Sequence, residues 1–91
     1  MERIIERVTA QVTEIVNNHI DDINDAVEFD TASYKLWREV INPRISRIRE
    51  SAIFTTEEKA ELIRAMYDKA SQMLREKREK LVEKLRNEFN I

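Results

Sequence analysis

Apolar residues recur along the chain at intervals of three and four, the spacing that lines one face of an α-helix, and nowhere alternate with period two over a useful length. Three long helices result. In the first, Ile4, Ile5, Val8, Val12, Ile15, Val16, Ile20, Ile23 and Val27 stay roughly in phase, which predicts a helix over about residues 2–27. Its β-branched residues lower its intrinsic helicity, so packing must hold it. A break at Asn17 and Asn18, with a short helix opening at Asp21 or Asp22, is the alternative; the phase of Ile15, Ile20, Ile23 and Val27 favours continuity.

The second helix opens at Asp30 or Thr31, either of which suits an N-cap, and runs over about residues 31–53. Its stripe is Tyr34, Trp37, Val40, Ile41, Ile45, Ile48 and Ala52. Pro43 falls inside it. Because the stripe keeps its phase through the proline, one helix kinked at Pro43 is expected, with a carbonyl freed near Glu39; two short helices hinged at an extended Asn42 are the alternative. The third helix has the clearest start, a capping box from Thr55 to Glu58, and runs over about residues 56–90. Ala60, Ile63, Met66, Tyr67, Ala70, Met73, Leu74, Leu81, Leu85 and Phe89 follow helical spacing there. Between Arg75 and Lys80 the stripe lapses, but opposite charges three and four apart carry the helix on.

Such a third helix is roughly 52 Å long, whereas a compact globule of this chain length has a radius of gyration of about 12 Å. An overhang is expected. Leu81, Leu85 and Phe89 lie on it, and a second copy of the chain is the simplest cover. The expected fold is therefore all-α: a single three-helix bundle with a Pro-kinked second helix and a long C-terminal helix, its helices shared in a homo-oligomer.

Composition then removes whole classes of chemistry. The 91 residues include no Gly, no Cys and one Pro, which excludes disulfides, thiol nucleophiles and glycine-rich phosphate loops. No stretch reaches the roughly 20 apolar residues of a membrane span, and charges interrupt the first twenty residues where a signal peptide would need an apolar run. A cytoplasmic protein with no membrane partner is expected. His19 and Asp22 are three apart, one ligand short of the usual minimum for a catalytic zinc site. No cofactor, no metal and no enzymatic activity are expected; an active site shared between subunits is a distant third reading.

The formal charge is −2, but it is unevenly distributed. Residues 1–33 hold two basic and eight acidic side chains, residues 34–49 hold five basic and one acidic, and residues 50–91 hold nine of each. An acidic cluster, Asp21, Asp22, Asp25, Glu28 and Asp30, thus precedes Lys35, Arg38, Arg44, Arg47 and Arg49. These groups either pack beside one another, within or between subunits, or leave the arginines free to meet a partner. Trp37, Arg38, Arg44, Arg47 and Arg49 are the candidate partner or anion-binding residues, because Arg forks and aromatic rings supply both charge and contact area. The functional expectation is a small interaction or regulatory protein of the inhibitor, adaptor or immunity type, binding itself and another protein. Nucleic-acid or nucleotide binding through the Arg-rich second helix is the alternative.

Overall fold

The computed structural model describes residues 1–89, and all regular structure in them is helical. Helix α1 spans Glu2–His19, α2 spans Ala26–Leu36, a π-helical segment covers Trp37–Ile41, α3 spans Asn42–Glu50 and α4 spans Thr56–Phe89. Since α2, the π segment and α3 follow one another without a break, the chain forms three rods.

The first rod is shorter than its apolar phase suggests. It stops at His19, and Asp22 takes a left-handed φ of 59°, a conformation that an acidic side chain tolerates better than most. Electrostatics accounts for the break. Asp21, Asp22 and Asp25 in a continued helix would sit at its negative end; the turn instead places Asp25 and Glu28 at the positive start of α2. The Asp25 carboxylate caps that start, accepting from the Val27 and Glu28 amides at 3.4 and 3.3 Å. The helix boundary expected at Asp30 or Thr31 is thus corrected to Asp25, and both residues lie inside α2. At the end of α1, His19 Nδ1 donates to the Ile15 carbonyl one turn back, at 2.8 Å.

Pro43 acts one turn before itself. The proline has no N–H to give the Glu39 carbonyl and its ring crowds that oxygen. The backbone responds with a π turn over Trp37–Ile41, closed by the Asn42 amide on the Trp37 carbonyl five residues back. Asn42 keeps a helical φ of −60° and ψ of −41°, so it is no extended hinge. The insertion shifts the helical phase by one position, about 100°. The buried residues of the second rod are Phe29, Leu36, Ile41 and Ile45, with the five-residue step from Leu36 to Ile41 lying across the π turn. The expectation of unbroken phase is corrected here: Leu36 turns inward and Tyr34, which that phase put in the core, turns out.

Helix α4 begins on the capping box its sequence predicts, the Thr55 amide donating to Glu58 Oε1 at 2.9 Å and the Glu58 amide to Thr55 Oγ1 at 3.1 Å. It continues unbroken through the charged stretch at Arg78 to Phe89. Its expected last residue, Asn90, lies outside the described residues.

Two sets of contacts fix how the rods run. Arg78 meets Asp30, Tyr67 meets Trp37 and Lys59 meets the Arg49 carbonyl, so the second rod is antiparallel to α4. Lys84 Nζ donates to Asn24 Oδ1 at 3.1 Å just beyond the end of α1, and Val12, Val16 and Ile20 share one buried cluster with Met66, Ala70, Leu74 and Leu81. Helix α1 therefore runs parallel to α4. The result is elongated, 54 × 23 × 17 Å with a radius of gyration of 15.4 Å, because all three rods lie along one axis. The 25-residue rod from Ala26 to Glu50 is itself about 37 Å long, so the overhang of α4 is shorter than the comparison with a sphere implies. Leu81 is buried in its own chain beside Ile20 and Phe29, and Leu85 is half-buried. Only Phe89, 74% exposed, stands clear.

Candidate functional site

Turning Tyr34 outward creates a surface that buried packing does not require. Tyr34 and Arg38 lie one turn apart on the second rod, the guanidinium carbon 6.0 Å from the centre of the Tyr34 ring, at the outer limit of a cation–π contact. Trp37, half-buried, meets Tyr67 of α4 with ring centres 4.9 Å apart and planes tilted by 41°. Tyr34 is 63% exposed and Tyr67 53%. Two pairs, Tyr34–Arg38 and Trp37–Tyr67, thus make a patch near the seam between the second rod and α4, with Tyr34 and Trp37 three residues apart on the rod. The π turn begins at Trp37, so the distortion caused by Pro43 also orients the patch.

The remaining arginines do not join it as one surface. Arg44 faces α1, lining a shallow groove with Gln11, Glu14, Ile15, Asn18 and His19. Arg47 is exposed one turn further on. Arg49 is five residues from Arg44, about 140° around the helix, on the flank where its carbonyl accepts from Lys59 Nζ at 2.8 Å. Helical geometry spreads these three cations over separate faces. None of them forms an ion pair among the described residues.

The acidic cluster goes elsewhere. Within the chain the Asp21–Asp30 region does not pair with the arginines of the second helix: its one ion pair among the described residues is with α4, where Asp30 accepts from Arg78 Nε at 2.9 Å and from its Nη2 at 3.2 Å. These hydrogen bonds from Arg78, with its charge, hold the Asp30 carboxyl below the usual aspartate range and raise Arg78 in turn. Both side chains are about half-exposed, so the pair orients the rods more than it stabilises them. Asp30 is thus neutralised by α4, whereas Asp21, Asp22, Asp25 and Glu28 form no ion pair among the described residues.

Tyr67 is the residue that the apolar periodicity misplaces. Next to Met66, it cannot share that residue's inward direction, since neighbours on a helix point about 100° apart; the buried stripe of α4 is Leu62, Met66, Ala70, Leu74 and Leu81. Among the described residues no group of three or more His, Asp or Glu side chains is placed to hold a metal ion, and no helix is long and apolar enough to cross a membrane. Comparisons with protein-family models, with curated proteins and with solved structures each found no match.

Proposed function

We propose that the protein is a small non-enzymatic interaction module, of the inhibitor, adaptor or immunity type, that acts as a homo-oligomer and grips another protein through Tyr34, Trp37, Arg38 and Tyr67. One observation carries this reading: the two tyrosines of the patch are more than half exposed although the same chain buries smaller apolar residues completely. Tyr, Trp and Arg are the side chains that dominate binding energy at protein interfaces, because they bring large contact area with little conformational freedom to lose. Arg38, the cation of the patch, has no ion-pair partner among the described residues and selects an acidic partner surface.

The test is capture from an extract of the source cell with wild-type protein and with Tyr34→Ala/Arg38→Glu, followed by binding measurements on the purified partner. A protein retained by the wild type and by Glu14→Ala, in the separate groove against α1, but lost with the double variant supports the reading. A captured set indifferent to the double variant overturns it. Binding of a nucleic acid that weakens steeply with salt and is lost with Arg44→Glu/Arg47→Glu would replace it with the nucleic-acid alternative.

A further inference from the structure

Beyond the partner patch, the distal end of α4 offers a second surface, and this inference rests on the homo-oligomeric part of the reading above. Val82, Leu85 and Phe89 with Ala26 line an open, largely apolar groove of about 480 Å³. Adjoining it is an open surface lined by α4 alone, with Arg75, Arg78, Glu79, Val82, Glu83 and Arg86 among its residues. On a helical projection Arg75, Glu79, Val82, Arg86 and Phe89 fall within an arc of about 80°, so they present one stripe.

That stripe complements itself when reversed. Turned about a two-fold axis at Val82, a second copy lays Val82 against Val82, sets Phe89 level with Arg75, and brings Glu79 of each chain within one residue's rise, about 1.5 Å along the axis, of Arg86 of the other, close enough for the two long side chains to meet. Arg78 comes level with the other copy's Arg86 in this register, but it is about 80° away around the helix and its charge is already paired with Asp30. Within the chain neither Glu79 nor Arg86 has an ion-pair partner among the described residues, and Phe89 is 74% exposed. We propose that the protein self-associates through this face of α4, antiparallel and two-fold symmetric, with Val82 at the axis, reciprocal Glu79–Arg86 pairs on either side of it and Phe89 against Arg75 at each end.

The test combines mass measurement with charge exchange. Light scattering across a micromolar to millimolar concentration series is expected to show a dimer for the wild type, and association at least tenfold weaker for Glu79→Arg and for Arg86→Glu alone. An equimolar mixture of the two variants should recover the dimer, because one chain then carries two cations and the other two carboxylates at the opposed positions. Both substitutions are on exposed positions, and circular dichroism of each variant checks that the helices persist. A wild type that is monomeric throughout overturns homo-oligomerisation itself. A dimer that is insensitive to both variants, or a mixture that fails to recover, leaves the oligomer standing and overturns this face and register.

Discussion

The phase shift at the π turn makes opposite predictions for two side chains that lie two residues apart. With the insertion, Leu36 is 1% exposed and Tyr34 is 63% exposed; with helical phase unbroken through Pro43, Tyr34 would be in the core and Leu36 outside it. Leu36→Ala removes three carbons from a site without solvent, worth about 2.4 kcal/mol at roughly 0.8 kcal/mol per carbon. The cavity left behind adds to this, giving a range of about 2–5 kcal/mol. A chain of this length has a total stability of about 5–14 kcal/mol, so the loss is a large share of it. Each kcal/mol lowers the melting temperature by about 4–8 °C in a domain of this size, and a fall of at least about 10 °C is expected. Tyr34→Ala, removing a ring that is mostly in water, should stay within about 1 kcal/mol of wild type. Urea and thermal unfolding followed by circular dichroism, at one fixed protein concentration so that association does not confuse the comparison, read both values. A larger loss for Tyr34→Ala than for Leu36→Ala would refute the π insertion and, with it, the patch it exposes.

Further outcomes follow from individual contacts. Asp25→Ala should destabilise by about 0.5–2 kcal/mol in the same unfolding assay, whereas Thr31→Ala, inside α2, should change little; the reverse order would move the start of α2 back to Thr31. Ser33 Oγ is buried with no hydrogen-bond partner among the described residues, so Ser33→Ala should raise stability by about 1 kcal/mol, and a loss would reveal a partner for that hydroxyl. Tyr67→Ala should expose the single tryptophan, shifting Trp37 emission to longer wavelength, and an unchanged spectrum would mean that the two rings do not meet in solution. Because Arg78 holds the Asp30 pKa below its unfolded value, the pair's contribution is present above the ordinary aspartate range and is lost as pH falls through the lowered folded value. Arg78→Ala should bring the Asp30 titration, followed by NMR, back up towards that ordinary range, and an unmoved titration would contradict the pairing.

How far the fold was legible in the sequence depended on whether a feature was local. The Thr55–Glu58 box needs only its own four residues, and the sequence placed the start of α4 correctly. Periodicity likewise identified three helical rods and the length of the last one. It failed where two local signals conflicted. Apolar phase carried α1 past the asparagines, but the acids beyond them are unfavourable at a helix C-terminus and favourable at the next N-terminus, and the backbone followed the charges. At Pro43 the sequence announced a disturbance without its form. A kink leaves the apolar phase intact and a π turn rotates it, and only the burial of Leu36 and Ile41 distinguishes them. That one-position rotation also separates the legible part of the candidate surface, Trp37 and Arg38, from Tyr34, which unbroken phase puts in the core; Tyr67, on α4, is misplaced instead because it adjoins the buried Met66. The arginines were visible as a cluster in sequence, yet nine helical residues suffice to distribute Arg44, Arg47 and Arg49 around a rod.

The two proposed surfaces lie at different heights on the same helix, which has a consequence for binding strength. Tyr67 and Val82 are fifteen residues apart on α4, about 22 Å along its axis, so a two-fold axis at Val82 sets two copies of the aromatic patch about 45 Å apart at opposite ends of the dimer. A partner that offers one acidic surface gains nothing from the second patch. A partner that is itself dimeric, or fixed at high density on a surface, is held at both ends once the spacing can be spanned, and its second contact then forms at an effective rather than a bulk concentration. Glu79→Arg, which splits the dimer without touching the patch, should therefore weaken binding to densely immobilised partner by more than tenfold and leave the affinity for a soluble monovalent partner unchanged. Equal losses in the two formats would show that the α4 face contacts the partner directly, and the two surfaces would then have to be one.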